Sequence, residues 1–224
     1  MKPQYDLLGK SHHALAIICD QLALHHPEGC VVQIVRNIPE SVNTSRVYPF
    51  ETVGVEWSVV ESESYTPDPQ TPKILGAIGK SRNAIFNHFF TKHSIPVEQY
   101  HTLIHPSAIV PRTAKIGFGA HIGPATCIAP FAVIGNFCVI NRHASVGHHT
   151  TMDAFSCLNP GVTLAGCCHL EMHSTVGAGA TIIDQIRIGE NSVVGAGSVV
   201  TKDIPANVVA YGVPAQVVRT IASD

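Results

Sequence analysis

The chain predicts two folds in series: a small α/β, Rossmann-like domain over residues 1–101 and a parallel β-helix of six-residue repeats over residues 102–224. Three observations carry this. Every sixth residue from Ile104 to Val200 is aliphatic, without a gap or a frame slip, through Val110, Ile116, Ile122, Ile128, Ile134, Ile140, Val146, Met152, Leu158, Leu164, Leu170, Val176, Ile182, Ile188 and Val194. Two residues before most of these positions the side chain is small, as at Ala108, Ala120, Ala132, Thr150, Ser174 and Ser192. Upstream of residue 102 this period is absent, and strand-like runs alternate with helix-like ones.

Along the first domain, Tyr5 to Leu8 reads as a strand, Ser11 to His25 as a helix and Cys30 to Val35 as a second strand. A loop rich in turn formers follows at Tyr65 to Pro72. Lys73 to Ile78 then reads as another strand and Ser81 to Lys92 as another helix, with the domain closing near His101. The turn Gly9-Lys10-Ser11-His12-His13-Ala14 joins the first strand to a helix N-terminus, where free N–H groups and the helix dipole favour a polar or anionic ligand. It lacks the Gly-x-Gly-x-x-Gly of a dinucleotide site, which argues against hydride transfer.

In the second domain each repeat is a short strand and a corner, and three repeats close a triangular coil of eighteen residues. The aliphatic residues point inward and stack on the coils above and below. Gly117, Gly123, Gly135, Gly147, Gly177, Gly189 and Gly195 directly follow the aliphatic positions and are expected to supply backbone freedom at the bends. A β-sandwich is the alternative, but its strands read with a period of two.

With 14 Lys and Arg against 16 Asp and Glu, the chain carries a formal charge of −2. No basic stripe marks a nucleic-acid partner. No run of eighteen apolar residues suggests membrane insertion, and the first residues lack a signal-peptide pattern, so a cytoplasmic protein is expected. The seven cysteines show no paired zinc spacing and read as free thiols.

The α/β domain, the segment Thr102-Leu-Ile-His-Pro-Ser-Ala-Ile-Val, the repeats and the tail Ala210-Tyr-Gly-Val-Pro-Ala together resemble the bacterial sugar O- and N-acyltransferases of the NeuD/PglD type. The resemblance covers essentially the whole chain. It implies a left-handed winding, acetyl-CoA as co-substrate with no metal, a nucleotide-sugar acceptor, and a homotrimer with active sites between prisms. The activity it implies is N-acetylation of the amino group of a nucleotide-linked amino-deoxysugar in surface glycan (lipopolysaccharide) biosynthesis, with O-acetylation of a sialic-acid-like sugar as the alternative.

By that resemblance His148 is the general base, because an amine or hydroxyl must lose a proton as it attacks a thioester and imidazole titrates in the right range. Residues eighteen apart stack at about 4.8 Å. That spacing places His148 under Gly166, whose N–H is expected to be available to the thioester carbonyl. Asn141 and Asn159 are expected to form a polar ladder near the base, with Asn141 orienting it. The triplets Gly177-Ala178-Gly179 and Gly195-Ala196-Gly197 stack by the same arithmetic into a trough for CoA. The family commonly has an acid after the base, where this chain has His149. Some members place a second histidine where this chain has Cys157, near the thioester. The resemblance also puts Ser11, His12, His13, Arg36, Asn37, Gly79 and Lys80 around the nucleotide-sugar.

Two rival readings remain open at this point. A zinc-dependent hydratase on the same prism needs three histidines; His143 and His148 have suitable separation, but Ser107 stands where the third belongs and His105 lies at the wrong corner. A non-catalytic nucleotide-sugar-binding subunit is motivated by the missing acid after His148.

Overall fold

The computed structural model describes residues 2–9, 12–37, 52–79 and 81–222, with the side chains of His12 and His13 left out of the description. The chain divides into two compact units, Met1–His101 and Thr102–Asp224.

The first unit is a four-stranded sheet in the order β3-β2-β1-β4, where β1 is Gln4–Leu8, β2 Cys30–Arg36, β3 Val55–Glu61 and β4 Lys73–Leu75. All three pairings are parallel. Helix α1, His12–His25, joins β1 to β2 and buries Ala14, Leu15, Ile18, Cys19 and Leu22, a helical stripe of apolar residues. Helix α2 is Ser81–His93. Because the chain adds β2 and β3 on one side of β1 and β4 on the other, a topological switch point falls between β1 and β4.

Two expectations need correction here. Strand β3 was not foreseen; its sequence is edged with glutamates and it is largely exposed as the edge of the sheet. The strand expected over Lys73 to Ile78 ends at Leu75, because its partner β1 runs out at Leu8. The Gly76 N–H makes a last bond to Leu8 O at 2.7 Å, and a Cβ on Gly76 would lie 2.2 Å from Gly9 O.

Under the sheet sits a buried ion pair. Lys73 Nζ lies 3.0 Å from Asp6 Oδ2, and Tyr65 Oη donates to the same oxygen at 2.5 Å. Lys73 Nζ also donates to the carbonyls of Asp68 and Thr71 at 2.7 and 2.5 Å, so the buried ammonium is fully engaged. Burial, then the hydrogen bond to Asp6, pushes the Tyr65 phenol well up.

The second unit is a triangular prism of three parallel sheets. The first face carries Leu103–Ile104, His121–Ile122, Val139–Ile140, Cys157–Leu158, Thr175–Val176 and Val193–Val194. The second carries Cys127–Ile128, Ser145–Val146, Thr163–Leu164, Thr181–Ile182 and Val199–Val200, and the third Lys115–Ile116, Val133–Ile134, Thr151–Met152, His169–Leu170 and Arg187–Ile188. Successive strands pair at a displacement of eighteen, as in Val139↔Cys157 and Ser145↔Thr163. The repeat aliphatics from Ile122 to Val200 are at most 2% exposed and form one column of core. The small residues line its corners: Thr150, Ser156, Ser174 and Ser192 are all at 0% exposure.

The glycines after the aliphatic positions have a different cause from the one expected. The left-handed conformation sits two residues further on, at Ala125, Phe131, Phe137, His143, His149, Phe155, Gly161, Cys167, His173, Gly179, Gln185, Asn191 and Gly197. The glycines themselves are required by the coil above: a Cβ on Gly147 would lie 2.3 Å from Ala165 C, and one on Gly177 2.5 Å from Ala196 N. The non-glycine left-handed residues cost about 1–2 kcal/mol each, and stacked rings offset part of this along one edge, where Phe137 lies on Phe155 and Phe155 on His173.

The tail closes the last coil. Val208–Gly212 pairs in parallel with Val193–Val194 and folds back against Ala215–Thr220 through a cis Val213–Pro214 bond.

Candidate active site

His148 stands on the edge between the second and third faces, exposed to solvent. Its position follows from its neighbours in sequence. Gly147 passes tightly beneath Ala165, and buried Thr150 braces the corner from inside, donating to Ala165 O at 3.1 Å and accepting from Cys168 N–H at 3.2 Å. The His148 carbonyl accepts from Cys167 N–H at 2.8 Å. With its backbone held on both sides, the imidazole points outward over the next coil.

That coil presents Gly166. A Cβ there would lie 2.7 Å from His148 Nε2 and 2.8 Å from Cε1, so only glycine leaves room for the ring. His148 Nδ1 meets His149 Nδ1 at 3.1 Å with the rings edge to face. One of these two nitrogens donates to the other; the tautomer in which His148 Nδ1 is the donor leaves a lone pair on Nε2, the atom that faces the notch. His149 is itself fixed by stacking on Phe131 at 5.0 Å.

The same notch receives a carboxylate that the sequence reading passed over. Asp184, two coils above His148, places Oδ1 3.2 Å from the point a Gly166 Cβ would occupy, and accepts the Gly166 N–H at 2.9 Å. The Gly166 amide expected for the thioester carbonyl is therefore already engaged by Asp184, which corrects that role. The eighteen-residue spacing, applied twice from His148, puts Asp184 in the same column but does not say where its carboxylate points.

Two further expectations change. Asn141 lies on the edge between the first and second faces, one face away from His148 in the same chain. Its Oδ1 accepts from Arg142 N–H at 2.8 Å, and Asn159 Nδ2 donates to Val176 O of the next coil at 2.9 Å, so each amide has a backbone partner. Cys157 lies on the first face at 6% exposure, in register with Val139 and Thr175 and away from the His148 edge. The thiol that approaches His148 is Cys167, exposed on the coil above, with Sγ 4.0 Å from Nδ1.

The triplets 177–179 and 195–197 lie on the edge between the first and second faces, one coil apart. Gly197 N–H donates to Ala178 O at 2.8 Å, joining them directly. Gly179 and Gly197 both have φ of +67°, and a Cβ on either would meet nothing within 4 Å. Ala178 and Ala196 are exposed beside them. The result is a strip of bare backbone, suited to an extended chain carrying amide groups. Tyr211 bounds it, with Cβ 2.6 Å from where a Gly195 Cβ would fall.

In the first unit, parallel pairing brings the expected acceptor residues to one edge, the carboxyl ends of β1, β2 and β4. Gly9 (φ +87°) follows β1, Arg36 ends β2 and Asn37 follows it. Gly79 (φ +108°) follows β4 and has open space where its Cβ would be. Ser11 and Lys80 lie outside the described residues, as do the side chains of His12 and His13. Arg36 is ion-paired to Glu61. Buried Arg82, missed in the sequence, donates Nη1 to Ala77 O at 2.9 Å and anchors the loop after β4.

Among the described residues no group of three or more His, Cys, Asp or Glu is arranged to hold a metal ion, and no helix is long and apolar enough to cross a membrane. His143 and His148, the pair a zinc site would use, stand on different edges of the prism.

Residues 167–202 match the family described as bacterial transferase hexapeptide (six repeats). Galactoside O-acetyltransferase of Lactococcus lactis is 55% identical over 53 residues, 24% of this chain and 26% of that protein. The Escherichia coli enzyme of the same name is 59% identical over 46 residues, 20% of this chain and 23% of its own. These matches thus span about a quarter of the length of the curated relatives. PerB from Caulobacter crescentus, solved with CoA and GDP-perosamine, superposes with a TM-score of 0.73 at 24% identity, covering 98% of each chain. The acetyltransferase domain of PglB from Neisseria gonorrhoeae, solved with acetyl coenzyme A, gives a TM-score of 0.77 at 21% identity, covering 97% of this chain and 100% of that one. The protein thus carries bacterial transferase hexapeptide repeats in a left-handed parallel β-helix preceded by a small α/β unit, the fold of those two acetyltransferase structures.

Proposed function

We propose that the protein is an acetyl-CoA-dependent N-acetyltransferase acting on the amino group of a nucleotide-linked amino-deoxysugar, in the cytoplasm, for surface glycan synthesis. The observation that carries this reading is His148 held outward over the Gly166 notch, on the same prism as a strip of open backbone at Gly177–Gly179 and Gly195–Gly197. The strip takes the pantetheine arm of CoA. His148 Nε2 takes the proton as the acceptor nitrogen attacks the thioester carbonyl, and the CoA thiolate leaves. The carboxyl edge of the first unit's sheet, with Gly9, Arg36, Asn37 and Gly79, takes the nucleotide-sugar together with Ser11, His12, His13 and Lys80.

In one chain the base and the strip lie on different edges. That separation supports a homotrimer in which one prism supplies His148 and its neighbour the CoA strip. His149 orients His148 in place of an acid. Similarity to galactoside O-acetyltransferase and to perosamine N-acetyltransferase supports the acetyl group and both acceptor classes, and the PerB and PglB structures, which hold CoA and acetyl coenzyme A, support the co-substrate.

The test is thiol release from acetyl-CoA across GDP-, UDP- and dTDP-linked amino-deoxysugars. At least one should turn over, and His148→Ala should abolish that turnover while CoA binding and trimer mass persist. Near-normal turnover in His148→Ala would refute the assignment of the base.

A further inference from the structure

An amine acceptor poses a problem that a hydroxyl acceptor does not. At neutral pH it arrives as an ammonium, which must be bound as a cation and then deprotonated before it can attack. A site for it needs an anion and a base facing the same small space. The notch over Gly166 has both. His148 Nε2 and Asp184 Oδ1 lie 2.7 and 3.2 Å from the single point where a Gly166 Cβ would be. The two groups come from coils on either side of Gly166, and they converge because the intervening residue has no side chain.

Asp184 is also held in place. Its Oδ1 accepts the Gly166 N–H at 2.9 Å, which fixes the carboxylate toward the notch and leaves Oδ2 for a further donor. Also on this edge stand His149, at Nδ1 of the base; Cys167, 4.0 Å from the same nitrogen; Arg112, two coils below His148; and Lys202 and Asp203, one coil above Asp184. His149 and Cys167 lie on the Nδ1 side of the ring, and Asp203 accepts from Arg187 N–H at 2.8 Å, so the carboxylate that reaches the Gly166 notch is that of Asp184.

We infer that Asp184 is the ammonium receptor of this site, and that it selects an amine over a hydroxyl acceptor. The acceptor's –NH3+ donates to Asp184 and passes one proton to His148 Nε2, which sheds it to solvent; the neutral nitrogen then attacks the thioester carbonyl, and its second proton passes through His148 Nε2 to the departing CoA thiolate. This rests on the acetyltransferase reading and extends it to acceptor choice. It also gives the acidic residue missing after His148 a counterpart, thirty-six residues along the chain and in the same column.

Asp184→Asn tests it, since the amide oxygen can still accept the Gly166 N–H while the charge is gone. Binding is measured by calorimetry for nucleotide-linked 4-amino-sugars, GDP-perosamine among them, and for the same molecules with a hydroxyl replacing the amine. The wild type should prefer the amine by about twofold to fivefold, the scale of a solvent-accessible charge pair. Asp184→Asn should erase the preference, Asp184→Glu should restore part of it, and His148→Ala should keep it. In turnover, Asp184→Asn should raise KM for the amine more than it lowers kcat. Turnover without any amine preference, or a preference that survives in Asp184→Asn, would overturn this inference and leave the acetyltransferase reading intact. A preference without turnover would sink that reading and leave the receptor. Absence of both would sink both.

Discussion

Gly166 lies one coil above His148, and the His148 imidazole reaches to the edge of the space its missing side chain leaves, with Nε2 2.7 Å from the would-be Cβ. The atom in the way is the end of a rotatable side chain, so Gly166→Ala should displace the ring and leave the prism standing. We expect turnover to fall by at least about 100-fold, the usual contribution of a well-placed base, with a thermal midpoint within a few degrees of wild type. An active Gly166→Ala enzyme would mean that the imidazole acts from some other orientation.

Two glycines in the repeats should answer differently to the same substitution. Gly147→Ala drives a Cβ to 2.3 Å from backbone of the next coil, which has no room to yield. Gly179→Ala meets nothing, and costs only the left-handed conformation, about 1–2 kcal/mol. Denaturant titration should find Gly147→Ala much the less stable of the pair. Gly179→Ala should keep the fold and weaken CoA binding, because a methyl group then stands on the open strip. Equal stability loss in the two would contradict the close approach described for Gly147.

Acid should loosen the first unit before the prism. Burial pushes the His101 imidazole below its usual range, helped by the nearby charges of His25 and His26. Burial and then Lys92 do the same to His88 and His93. A histidine whose pKa falls on folding stabilises the fold only while neutral, so its contribution is present above the unfolded value of about 6.5 and is lost as pH falls through the lower folded value. Hydrogen exchange followed from pH 8 to pH 5 should therefore show protection in β1 and α2 declining below about pH 6.5, with His101→Gln flattening part of the decline. Protection that is constant across that range would count against it.

How far the chain could be read in advance depended on where its information lies. The prism was legible because its rule is local and repeated: each aliphatic residue sits six positions from the last, and strands meet eighteen apart, as Val139 does with Cys157. His148 under Gly166 followed from that arithmetic. Strand β3 was not legible, since an edge strand exposed on most positions carries no buried stripe in its sequence.

The part that escaped the sequence concerns which hydrogen bond each group chooses. Asn141 is in register with Asn159 as the spacing requires, yet each amide bonds a backbone group, Arg142 N–H for one and Val176 O for the other. Gly166 has the N–H its position implies, yet Asp184 takes it. Spacing dictates the height and edge of every residue in such a coil. The direction of a side chain, and which of several nearby partners it bonds, depends on the atoms that close in from neighbouring coils once the prism is formed. By itself the amino-acid order determined the two folds, the column of core and the stacking of His148 beneath Gly166. Only the tertiary structure decided that a carboxylate from two coils away shares the notch with the base, because that meeting depends on a side chain absent at Gly166 and on rotamers that no spacing encodes.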